Sequence, residues 1–153
     1  MKIEQTFSIN APQQEVWDFV KDTSKMAPCI PGCEEIEVID EKHFKAKIKI
    51  KVGPISAKFK LDIEILEENP PSEIISKTRG DEGTRASTIS ADNIVRLSTK
   101  GDGTTEVYCQ SESSIVGRLG KYGSGMMKKK ADSIWEKMAA NIRHAIEGPN
   151  SKT

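Results

Sequence analysis

Residues 44–63 read FKAKIKIKVGPISAKFKLDI. Phe44, Ala46, Ile48, Ile50 and Val52 alternate with Lys45, Lys47, Lys49 and Lys51. After Gly53-Pro54, Ile55, Ala57, Phe59, Leu61 and Ile63 alternate with Ser56, Lys58, Lys60 and Asp62. A period of two puts each apolar set on one strand face and each polar set on the other. Gly53-Pro54 is a turn signal, so the stretch is a hairpin. Pairing Val52 with Ile55 sets apolar against apolar along both strands. It also brings Lys49 opposite Lys58 and Lys47 opposite Lys60, at a cost of roughly a few tenths of a kcal/mol per pair. A slip of one residue would send every apolar side chain to the wrong face, which specifies the register.

The chain on either side extends this sheet. Ile3, Phe7 and Ile9 mark a first strand, broken at Asn10-Ala11-Pro12. A helix follows, with Asn10 as its expected cap and Pro12 in its first turn. Val16, Trp17, Phe19 and Val20 form its apolar side, and a short helical turn is expected over Thr23 to Ala27, closed by Pro28 and Pro31-Gly32. Beyond the hairpin, Asn69-Pro70-Pro71 interrupts the sheet. Further strands are expected over Ser72 to Gly80, Thr84 to Leu97 and Thr104 to Val116, with a turn at Gly101-Asp102-Gly103.

From Arg118 the period changes to that of a helix. Leu119, Met126 or Met127, Ile134, Met138, Ile142 and Ile146 form one stripe, and Gly148-Pro149 stops it. The expected helix, Arg118 to Ile146, is about 43 Å long at 1.5 Å per residue. Short connections between strands make the sheet antiparallel. The expected architecture is α+β: a curved seven-stranded antiparallel sheet around a long C-terminal helix, with one or two short helices after the first strand. One domain is expected over residues 1–147, followed by a disordered tail, 148–153.

Length and charge narrow the functional classes. A chain of 153 residues supports one sizeable core. Its 23 basic and 23 acidic residues cancel, which argues against a polycation built for nucleic acid. Aromatic residues suited to stacking bases are scarce. The sequence has no run of 18 apolar residues and no hydrophobic stretch near Met1 of the signal-peptide kind. The expected compartment is the cytoplasm, with peripheral contact at the inner face of the cell membrane as an extension of it.

The reactive side chains form no constellation. Cys29 and Cys33 flank Pro31-Gly32 at a spacing that is not Cys-x-x-Cys, and Cys109 lies far away. His43 and His144 sit near neither cysteine nor each other. No catalytic residue, metal or cofactor is expected.

Several inward positions are small or mildly polar, namely Ser76, Thr78, Ser87, Ala91, Cys109, Ser111 and Ser113. A filled core would use larger groups there. Small side chains beneath a methionine-bearing helix imply a cavity. Its expected sheet wall is Phe44, Ile48, Phe59, Leu61, Val107, Cys109 and Ser111. Its expected helix wall is Met126, Met127, Ile134 and Met138. Seven lysines and no acid lie between Lys42 and Lys60. This suggests Lys47, Lys49, Lys58 and Lys60 as a contact surface for a partner or membrane, unless they only guard an edge strand. Arg118, Lys121, Lys128 and Lys129 form a second basic group among glycines, expected at a mobile cavity mouth.

Three stretches carry a family resemblance. Met1-Lys2-Ile3-Glu4 leads into Phe7, Ala11-Pro12 and Val16-Trp17. Cys29-Ile30-Pro31-Gly32-Cys33-Glu34 forms a distinctive turn. Lys49-Ile50-Lys51-Val52-Gly53-Pro54-Ile55, with Ala57 and Phe59, forms the central hairpin. On these residues the chain resembles the CoxG family of carbon monoxide dehydrogenase subunits, within the SRPBCC superfamily of START-like and Bet v1-like proteins. The resemblance covers about Met1 to Ile146. It implies a helix-grip fold with a deep cavity and a non-enzymatic role. That role is binding a hydrophobic molecule, a lipid or quinone, while assisting assembly or membrane association of a molybdenum-containing carbon monoxide dehydrogenase-like hydroxylase. A protein-interaction factor using the lysine hairpin is the alternative, and a cyclase-like enzyme of the same superfamily a weaker one. Many relatives continue into a C-terminal apolar segment, whereas this chain ends at Thr153. Transient rather than permanent membrane contact is therefore expected.

Overall fold

A computed structural model describes residues 1–83 and 86–148. The expected start of a strand at Thr84, and all of the expected tail except Gly148, lie outside the described residues.

Seven strands form one antiparallel sheet. They are β1 (Lys2–Ile9), β2 (Cys33–Val38), β3 (His43–Val52), β4 (Ile55–Asn69), β5 (Glu73–Glu82), β6 (Ser87–Thr99) and β7 (Thr105–Gly117). Strands β2 to β7 meander in order, and β1 closes the far side by pairing with β7. The hairpin has the register dictated by its alternation: Val52 pairs with Ile55, Lys49 with Lys58 and Lys47 with Lys60. Lysine repulsion is offset by acids on neighbouring strands. Glu35 and Glu37 lie opposite Lys47 and Lys45, and Asp81 lies opposite Lys60.

Helix α1 (Gln13–Lys21) and helix α2 (Thr23–Met26) follow β1. Pro12, not Asn10, occupies the N-cap of α1 and supplies no side-chain bond. The Asn10 N–H instead donates to Glu147 Oε1 at 2.9 Å. Gln13 does the anchoring: its Nε2 donates to Pro71 O at 2.9 Å and Leu97 O at 3.2 Å, and Thr99 Oγ1 donates to its Oε1 at 2.7 Å.

The long helix α3 runs Ser124–Glu147. It begins six residues later than its stripe suggests and is about 36 Å long. The difference lies in Arg118–Gly123. Gly123 has φ of 85°, in the left-handed region where a Cβ is disfavoured. Leu119, on the expected stripe, is buried, but its N–H donates to Ser87 Oγ at 3.1 Å. Arg118 forms a bidentate pair with the buried Glu82 carboxylate. These ties hold the segment as a loop with a single 3-10 turn, Gly120–Tyr122.

The buried side chains form two clusters. One joins Ile9, Val16, Trp17, Leu97, Val107 and Ile142 between α1, the β1/β6/β7 region and the end of α3. The other joins Val52, Ala57, Phe59, Leu119 and Met127 near the start of α3. Burying each large side chain contributes roughly 1.5–3 kcal/mol. Asn141 Nδ2 donates to Cys29 O at 3.0 Å and Arg143 Nε donates to Ser8 O at 2.9 Å, fixing the C-terminal half of α3.

Candidate functional site: a cavity between two cores

Helix α3 rests on a packed cluster towards each end, and the sheet beneath its middle is not filled. A cavity of about 290 Å³ lies there. From the edge of the first cluster it takes Trp135 and Met138. From the second it takes Ile50, Ile89, Ile115 and Met127. Small residues make the space. Ala91 and Ser113 lie opposite each other on β6 and β7, and Asn93 lies opposite Ser111 one step along.

The lining is apolar apart from one wall. Asn93 is the hub of that wall: its Nδ2 donates to Thr78 Oγ1 at 3.0 Å and to Ser76 Oγ at 3.4 Å, and its Oδ1 accepts from Ser111 Oγ at 2.8 Å. Thr78 therefore keeps its own hydroxyl hydrogen for another acceptor. Ser113 Oγ bonds to no side chain among the described residues, and its side chain lines the space. A mainly apolar pocket with a few convergent polar groups is the usual form of a small-molecule site. Among the described residues, Lys130 is the one titratable side chain in the lining. Among the described residues no cluster of three metal-ligating side chains exists.

A second depression, of about 310 Å³, shares Pro31, Ile50, Lys130 and Ile134 with the cavity and forms its mouth. Gly32 allows this approach of loop to strand. It has φ of +79°, and a Cβ there would lie 2.2 Å from Lys49 O.

Of the expected wall residues, Ile48, Ser111, Met127, Ile134 and Met138 line the cavity. Val107 and Cys109 share the inward face of β7 with Ser111 but lie within the first cluster. Phe59 fills the second cluster with Leu61 at its margin, Phe44 lies outside the lining, and Met126 is half-exposed to solvent. Ile3, Ile30, Ile89, Asn93, Ile115 and Trp135 line it as well. The parity of Ile89, Ala91 and Asn93 along β6 was the available signal for three of the lining positions.

The basic groups are less free than their spacing suggests. Lys47 pairs with Glu35 at 3.2 Å, Lys58 with Glu34 at 3.7 Å and Lys128 with Asp132 at 3.0 Å. Arg118 is committed to Glu82. Lys121 and Lys129 are exposed. The cysteines are free thiols. Burial pushes the Cys109 thiol up to about 12 and raises those of Cys29 and Cys33, which keeps them protonated and unreactive. His43 is exposed between Asp40 at 2.8 Å and Glu64 at 3.1 Å, remote from the cavity lining.

Similar folds occur in solved structures. A conserved protein from Geobacillus kaustophilus superposes with a TM-score of 0.88 at 22% identity, covering 96% of this chain and 95% of that one. A Thermus thermophilus protein gives 0.73 at 14% identity, covering 99% of this chain and all of that one (100%). A START superfamily protein from Mycobacterium smegmatis gives 0.72 at 14%, covering 95% and 97%. These likenesses establish the fold. No curated protein matches the chain. The architecture is the helix grip, in a ligand-binding superfamily with diverse small-molecule roles. The match to CoxG, the family described as the G-type subunit of carbon monoxide dehydrogenase, extends over residues 6–147 and is consistent with a non-catalytic accessory protein. With nearly the whole described fold inside that match, the chain belongs to the CoxG family.

Proposed function

We propose that this protein holds one hydrophobic small molecule, a lipid or a quinone, in the cavity under α3. It does so as an accessory to a molybdenum-containing carbon monoxide dehydrogenase-like hydroxylase. The observation that carries this reading is the 290 Å³ space, lined by alkyl, thioether and indole groups and by a single hydroxyl-bearing wall. Binding would bury apolar ligand area, at roughly 25 cal/mol per Å², while Thr78 or Ser113 donates to one ligand oxygen. We place this activity in the cytoplasm or at the inner membrane face, where exposed Lys121, Lys129 and Met126 offer a transient contact.

The test is native mass spectrometry of protein purified from its own cells, followed by solvent extraction. A stoichiometric lipid or quinone is the expected result. The Ser113→Phe variant, which fills the space, should emerge folded and empty. If wild-type protein carries nothing and takes up neither a short-chain quinone nor a fatty acid, the carrier reading is wrong.

A further inference from the structure

Four lysines surround the mouth of the cavity. Lys49 and Lys51 come from β3, Lys130 and Lys137 from α3, and Pro31-Gly32 forms a third side. Lys130 and Lys137 are two helical turns apart and share a face of α3. None of the four has an ion-pair partner among the described residues, although Lys47, Lys58 and Lys128 close by each have one.

The backbone explains the contrast. Acidic β2 covers β3 only as far as Ile48, which pairs with Cys33. Beyond that point the neighbour is Gly32, whose carbonyl accepts from the Lys49 N–H at 2.9 Å and which has no side chain. Glu34 and Glu35 therefore stop just short of the mouth. On the helix side Asp132 is occupied by Lys128, and the mouth is lined instead by Ser133, a hydroxyl donor. Four like charges repel one another where no carboxylate relieves them, and an anion among them would. Directly beneath lie Ile50 and Ile134, which belong to both the mouth and the cavity.

We propose that the mouth is an anion subsite, and that the bound molecule is a single-chain amphiphile. Its tail fills the cavity and its anionic end group, a carboxylate or phosphate monoester, sits among Lys49, Lys51, Lys130 and Lys137. This rests on the carrier reading above and narrows its ligand class. The cavity size favours one chain, since 290 Å³ is at the bottom of the roughly 300–1,000 Å³ range of small-molecule sites. Ammonium groups on flexible stems bind either anion, because they impose no bidentate geometry.

Calorimetric titration of the full chain with dodecanoate, dodecyl phosphate and 1-dodecanol separates the parts. At low salt at least one anion should bind about tenfold or more tightly than the alcohol, with the preference shrinking as salt screens the lysines. In the K49Q/K51Q/K130Q/K137Q variant the preference should fall to about twofold or less while dodecanol binds as in wild type, which also reports an intact fold. A K47Q/K58Q variant should keep the preference. The stronger of the two anions identifies the end group. Equal binding of all three ligands by wild type overturns the anion subsite and leaves the carrier reading standing. No binding of any of them overturns both. Inorganic phosphate binding the wild type as tightly as dodecyl phosphate overturns the amphiphile, because the tail would then contribute nothing.

Discussion

Ser111 Oγ donates to Asn93 Oδ1 at 2.8 Å across β7 and β6, joining two inward side chains on the wall of the cavity. The same carboxamide donates to Thr78 on β5, so three strands share one polar hub. Asn93→Ala should destabilise the protein by about 1–3 kcal/mol, and the coupling to Ser111→Ala in a double-mutant cycle should be about 1 kcal/mol. Urea unfolding of the four proteins measures it. Strictly additive single substitutions would show that the bond contributes nothing.

The two packed ends and the hollow middle should respond differently to truncation. Phe59 is 1% exposed within the second cluster, so Phe59→Ala should cost about 3–5 kcal/mol. Ile134 faces existing space, so Ile134→Ala should cost less, about 1–2 kcal/mol, because little new void is created. Equal losses in urea would mean that the space under α3 closes in solution.

Gly32 joins a left-handed backbone to a close approach on Lys49 O. Gly32→Ala should cost about 1–3 kcal/mol and displace the loop at the mouth. Gly53 also has positive φ, but nothing crowds its Cβ position. Gly53→Ala should therefore be the milder substitution, and thermal melts of the pair make the comparison.

Charge pairs set the pH response. The carboxylates of Asp40 and Glu64 raise the pKa of His43 above its ordinary 6.5. A raised folded-state value stabilises the protein fully below the unfolded value, and that contribution is lost as pH rises through the folded one. Melting temperature should fall between about pH 6 and 8 through this group, and His43→Gln should flatten that limb. At the acid end the Arg118 guanidinium holds the Glu82 carboxyl below its usual 4.5. Its contribution is present above the usual value and is lost as pH falls through the depressed one. Arg118→Ala leaves a buried carboxylate without its partner and should lower the melting temperature at neutral pH by several degrees. An unchanged acid limb in that variant would exclude the pair as its cause.

The hairpin was legible because side-chain period, turn and register all depend on the same alternation of residues 44–63. The start of α3 was not, because Leu119 fits the helical stripe while serving as the buried end of a loop tied to Ser87. Face assignment along β7 correctly groups Val107, Cys109 and Ser111, since all point inward. It cannot say where along the strand the covering helix stops packing and the void begins. That depends on Trp17 and Ile142, distant in sequence, which fill the space above Val107 but not above Ser111. The lysine pattern was visible as a run, but the split between neutralised and unneutralised members needed β2 in place. Only then does Glu35 reach Lys47 while Gly32 alone stands beside Lys49.

The separation of the buried side chains into two clusters has a mechanical consequence. Hydrostatic pressure favours whichever state occupies less volume, and unfolding eliminates internal voids. A molecule held together at both ends of α3 around an unfilled middle should be unusually compressible for its length and should unfold at modest pressure. A resident guest that occupies the space would remove much of that volume change. The pressure midpoint therefore reads out occupancy without any chromophore, label or knowledge of what the guest is.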